Sequence, residues 1–91
     1  MSSSQSELRP VQALRRATEQ LAALLGRAPE SVSALRRSQD SWEADVEVLE
    51  LERVPDSTSV LASYHVVLDP DGELVSYERR RRYTRGQVER G

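Results

Sequence analysis

Trp42-Glu43-Ala44-Asp45-Val46-Glu47-Val48 changes character at every step. Trp42, Ala44, Val46 and Val48 make an apolar row, and Glu43, Asp45 and Glu47 an acidic one. Side chains alternate across a strand, so this period of two predicts a β-strand with one oily and one wet face. The phase then slips, because Leu49 and Leu51 alternate with Glu50 and Glu52. An extra residue that swaps faces predicts a β-bulge or sharp bend near residues 48–50. Cover on the second face would give the same pattern.

The neighbours of this strand follow from punctuation. Upstream, Ser38-Gln39-Asp40-Ser41 has turn composition and residues 32–37 read as a short strand, with Ala28-Pro29-Glu30 as connector. Downstream, Val54-Pro55-Asp56-Ser57-Thr58 breaks the chain before a third strand over residues 60–68. Val60, Ala62, Tyr64, Val66 and Leu68 share one face of it, and Leu61, Ser63, His65 and Val67 the other. Asp69-Pro70-Asp71-Gly72 is a hairpin turn, since Pro presets the first corner and Gly accepts positive φ. A fourth strand covers residues 73–83.

Before the strands, Val11, Leu14, Ala17, Leu21, Leu24 and Leu25 recur at spacings of three and four, one face of an amphipathic helix. Pro10 suits its first turn and Gly26 the left-handed position past its end. Arg15, Arg16, Glu19 and Gln20 fall on its wet side. The fold class is therefore α+β: one N-terminal amphipathic helix packed on a four-stranded antiparallel meander sheet. Residues 1–8 are polar and read as a disordered tail, residues 9–85 as one domain, and residues 86–91 as a polar C-terminal tail.

A chain of 91 residues holds one domain and buries only about 60–65% of its unfolded surface. With no Phe, one Trp and three Tyr, its core rests on Val, Leu and Ala. A core this small leaves room for a homodimer or a partner to add burial. The net charge of −2 disfavours bulk nucleic-acid binding. The absence of Cys excludes disulfides, zinc thiolates and thiol catalysis, and fits a cytoplasmic location. The longest apolar run, residues 21–25, is far below the about 20 residues of a membrane span. The N-terminus has neither the basic nor the apolar region of a signal peptide.

Catalysis finds no foothold. His65 is the only histidine, and no motif around it gives a Ser or Asp a defined role. Asp69-Pro70-Asp71-Gly72-Glu73 has the look of a calcium loop, but its twelfth position is Arg80 rather than Glu. The four glycines are scattered, so no phosphate loop exists. The expectation is a protein that is no enzyme and has no cofactor, metal or small-molecule substrate. Trp42 reads as a core plug at the sheet end, with an exposed anchor for a partner as the alternative.

Two charge blocks stand out. Residues 40–52 hold six acids and no base, and residues 78–85 hold five arginines and one acid. All thirteen basic residues are Arg, a bias expected of a GC-rich genome, which lowers the weight of any one of them. On a regular strand Tyr77, Arg79, Arg81 and Tyr83 share one face, with Glu78, Arg80 and Arg82 on the other. Three readings stand: internal pairing with the acidic strand, a protein-binding surface made of Tyr77, Arg79, Arg80, Arg81, Arg82 and Tyr83, or phosphate contacts with nucleic acid. The acidic block weakens the last.

These strings also carry a resemblance. Gly26-Arg27-Ala28-Pro29-Glu30-Ser31-Val32, Trp42, Val46-Glu47-Val48-Leu49-Glu50-Leu51-Glu52-Arg53-Val54-Pro55-Asp56, Val60-Leu61-Ala62-Ser63-Tyr64, Leu68-Asp69-Pro70-Asp71-Gly72-Glu73-Leu74 and Tyr77-Glu78-Arg79-Arg80-Arg81-Arg82-Tyr83 follow in this order. Together they resemble the gas vesicle protein O (GvpO) family over about residues 10–85. His65 departs from the acidic residue expected after the Tyr. The resemblance implies a small accessory protein for gas vesicles, the gas-filled, protein-walled buoyancy organelles. It implies assembly or regulatory work through other gas vesicle proteins, accessory ones or shell subunits, and association with the vesicle. A regulator of vesicle gene expression that binds nucleic acid is the alternative. The resemblance brings no catalytic residue with it.

Overall fold

The computed structural model describes residues 8–89. Helix α1 spans Pro10–Leu25, and strands β1 (Pro29–Arg37), β2 (Trp42–Leu51), β3 (Val60–Leu68) and β4 (Leu74–Thr84) follow. A single 3-10 turn, Asp56–Thr58, precedes β3, and a short helix α2, Arg85–Glu89, follows β4. The sheet is an antiparallel meander in the order β1-β2-β3-β4, as the alternation and turns predict. The tail expected over residues 1–8 lies, except for Leu8, outside the described residues, and Leu8 packs against the core. The segment expected as a tail over residues 86–91 is helical as far as Glu89, and its end lies outside the described residues.

The oily rows meet as expected. Trp42, Ala44, Val46 and Val48 of β2 and Val66 and Leu68 of β3 are buried against Ala13, Ala17 and Leu21 of α1. The helix is rotated from its expected setting, however. Val11, Leu14 and Leu24 are exposed, and Ala13 takes the buried line instead. Small side chains at Ala13 and Ala17 let the helix axis approach the sheet, and Leu21 fills the space beyond them. Arg16 and Gln20, expected to be solvated, are drawn to the β3–β4 turn. The Gln20 amide donates to the Gly72 carbonyl at 2.7 Å and accepts from the Leu74 N–H at 2.9 Å. The Arg16 guanidinium adds a bond to the Gly72 carbonyl at 3.3 Å and pairs with Glu73.

β1 begins at Pro29, three residues earlier than the sequence predicts. The missing proline N–H costs nothing there, because Pro29 is the first residue of an edge strand. Register shifts show where the ladders carry an extra residue. Glu30 and Ser33 are extra in β1, Glu50 in β2, and Val75 and Arg80 in β4. The bulge at Glu50 is the phase slip read from the sequence. Bulges bend a strand and raise its twist. With two on each edge strand, the sheet curls, and the face away from α1 becomes concave.

At the far end the loop before β3 is held by a buried serine. The Ser59 hydroxyl accepts from the Arg53 N–H at 3.0 Å, and the Ser59 carbonyl accepts from the Arg85 N–H at 2.9 Å. The Arg85 side chain then pairs with Asp56 and with Glu30, both at 2.8 Å. These links tie the end of β4 to the start of β1.

Candidate functional site

The arginine run lies on β4, the last strand of the sheet, whose outer edge pairs with no other strand among the described residues. Residues 75–82 are exposed throughout. The bulge at Arg80 overturns the expected sharing of faces. Tyr77, Arg79 and Arg82 stand opposite Val66, Tyr64 and Ala62 on the helix side. Glu78, Arg81 and Tyr83 stand opposite His65, Ser63 and Leu61 on the concave side. One inserted residue shifts the phase, so Arg81 and Tyr83 change sides relative to Tyr77 and Arg79.

On the helix side, past the end of the core, Glu50 collects the charge. Its side chain is only 16% exposed and pairs with Arg79 at 3.2 Å and with Arg82 at 3.0 Å. The Tyr64 hydroxyl donates to the same carboxylate at 3.1 Å. Burial first, and then that bond, push the Tyr64 phenol up from its usual value of 10.0. Tyr77 lies against Tyr64 with ring centroids 6.3 Å apart. Arg80, at the bulge, points to its neighbour Glu78 at 3.0 Å. Internal pairing therefore accounts for much of the run.

The concave side is organised by Glu47. Its carboxylate accepts from Ser33 at 2.8 Å, from Ser63 at 3.1 Å and from the Tyr83 hydroxyl. The Arg81 guanidinium lies over the Tyr83 ring, 4.9 Å from its centroid. Arg81 is the one member of the run with no carboxylate partner among the described residues. Around it is an open groove of about 710 Å³ between the two edge strands, floored by Leu61 and Ser63 and closed at one end by the Arg85–Glu30 pair.

Burial, then the bond to Glu47, push the Tyr83 phenol up to about 12. The folded protein therefore keeps a proton on Tyr83 that the unfolded chain releases from pH 10.0 upward. Stability from this group is complete below pH 10.0 and is lost as pH rises toward about 12. Thermal melts across that window are expected to fall less steeply for Tyr83→Phe than for the natural chain.

His65 is largely buried between two acids, with Nδ1 2.8 Å from Asp45 and Nε2 3.2 Å from Glu43. It serves as a clamp on the acidic row. Among the described residues no cluster of three or more His, Cys, Asp or Glu is placed to hold a metal ion. No helix among them is long and apolar enough to cross a membrane. Trp42 is buried as expected and carries the Arg37 guanidinium 5.3 Å from its ring centroid. Sequence reasoning singled out the β4 residues but named neither Glu50 nor Glu47 as their partners, and it missed the Arg85–Glu30 pair. The run of acids in β2 was the only signal for the first two.

Comparison with known proteins gives a consistent picture. A family model described as gas vesicle synthesis protein GvpO matches residues 1–89. The chain is 56% identical over 81 residues to gas vesicle protein O of Streptomyces sp. (strain CB03234), covering 89% of this chain and 63% of that protein. It is 33% identical over 73 residues to gas vesicle protein O1 of Halobacterium salinarum (strain ATCC 700922 / JCM 11081 / NRC-1), covering 80% and 61%. A third relative, gas vesicle protein O of Haloferax mediterranei, is 37% identical over 49 residues, 54% of this chain and 35% of that protein. The chain thus spans less than two thirds of the length of the curated relatives it matches. No solved structure matches it.

Proposed function

This chain belongs to the gas vesicle synthesis protein GvpO family, and on that premise we propose that it is a non-enzymatic accessory factor in gas vesicle assembly. It acts at the vesicle or on its way there, by binding other gas vesicle proteins through β4. The observation that carries this reading is the exposed edge strand with four guanidinium groups and two phenols, several of them already fixed in place. Arg and Tyr are enriched among residues that dominate interface energies. A guanidinium that is held before binding loses less freedom on binding than a free one.

The test removes the outward charge without orphaning Glu50. Arg79, Arg80 and Arg82 are replaced by Ser together with Glu50→Gln, and capture of tagged, co-expressed gas vesicle proteins is measured. Capture is expected to fall by at least about tenfold, the loss of roughly 1.4 kcal/mol of binding. A folded variant, checked by circular dichroism, that captures as well as the natural chain would overturn the reading.

A further inference from the structure

We propose that the concave-face groove is a second docking site, built to receive a carboxylate-bearing extended segment of a partner protein, with its carboxylate on Arg81. This inference deepens the reading above and rests on it for the class of partner. It uses none of the residues changed in the test just described.

The argument starts from which charges are already used. Glu47 directs its two oxygens at Ser33, Ser63 and Tyr83, and Glu30 is engaged by Arg85. Both acids line the groove, but each is already engaged. Arg81 is the exception, because it has no carboxylate partner among the described residues and is exposed at the rim. It is nevertheless held, since its guanidinium stacks on Tyr83 and the Tyr83 hydroxyl is tied to Glu47. A planar fork parked on an aromatic ring keeps its N–H edge open for a carboxylate, the bidentate geometry that Arg favours.

The rest of the groove suits a peptide more than a small anion. It is open, and its lining is drawn from both edge strands and the two between them. Leu61, 4% exposed, gives it an apolar floor beside the Tyr83 ring. The Ser31 hydroxyl lines the wall and can bond a passing main chain. The Arg85–Glu30 pair blocks one end, so a segment enters from the other or lies along the mouth.

The test titrates the full chain, labelled for NMR, with a short acetylated and amidated peptide alternating Glu and Leu, and with its Gln counterpart. The Glu peptide is expected to shift the amides of Ser31, Ser33, Ser63, Arg81 and Tyr83. The Gln peptide is expected to bind about tenfold more weakly, as befits the loss of a charge-assisted pair. Arg81→Gln is expected to lose the same tenfold with the Glu peptide while keeping the melting temperature of the natural chain. Shifts confined to the outer edge over residues 76–80, equal binding of the two peptides, or an unaffected Arg81→Gln would each overturn the groove. In any of those cases the β4 reading still stands or falls on its own capture experiment.

Discussion

Leu21→Ala lowers the unfolding free energy by about 3 kcal/mol, the middle of the range for a buried leucine whose cavity closes only in part. Leu21 is 0% exposed and is the only leucine of α1 in the fully buried core. Its neighbours on the fully buried line of the helix, Ala13 and Ala17, are too small to fill its space. A domain of this size has on the order of 5–10 kcal/mol in all. The melting temperature is therefore expected to drop by roughly 15 °C. Leu24→Ala is the control. Leu24 is 55% exposed, and its loss is expected to change stability by less than about 1 kcal/mol. Urea or thermal unfolding of the two variants decides the helix setting. If Leu24→Ala were the more harmful, the rotation of α1 described above would be wrong.

Gly72→Ala is the second large effect, at about 2 kcal/mol. Gly72 has φ of 91°, a conformation that costs an L-residue about 1–2 kcal/mol. An added Cβ also meets the Leu8 Cδ1 at 2.6 Å and the Arg16 Cγ and Nε at 3.2 Å. Those side chains can yield, but only by leaving the core and the Gly72 carbonyl. The turn would then loosen where α1 grips the hairpin. Gly26, with φ of 71° and nothing within 4 Å of its Cβ position, isolates the backbone contribution. Gly26→Ala is expected to cost about 1 kcal/mol, and the difference between the two substitutions measures the contact at the hairpin.

How far the sequence could be read depended on whether side-chain chemistry alternated. In β2 every step from Trp42 to Val48 changes polarity, so strand, faces and the slip at Glu50 were all visible. The turn at Gly72 was visible for a different reason, since Pro70 presets φ at the first corner and Gly72 accepts the positive φ that the turn requires. Residues 79–82 are four identical side chains, and no pattern can show that one of them is a bulge. The faces of Arg81 and Tyr83 were lost with it. In α1 apolar residues cover more of the circumference than the sheet can bury, so period gave the helix but not its rotation. Ala13 was passed over because small residues carry a weak signal, although closeness is what the sheet required. The partners of Arg79, Arg82 and Tyr83 were hidden because Glu50 and Glu47 look like every other acid in residues 40–52.

The bulges in β4 set a limit on how tightly this protein can hold anything by its edge. Between Val75 and Arg80 only residues 76–79 keep regular register with β3. Residues 81–84 form a second regular run beyond the bulge, so an added strand could follow either short run but would be interrupted between them. On the reading proposed above, most of the grip must come from side chains, whose bonds open one at a time. Such a grip releases readily. On that reading it suits transient contact more than permanent incorporation.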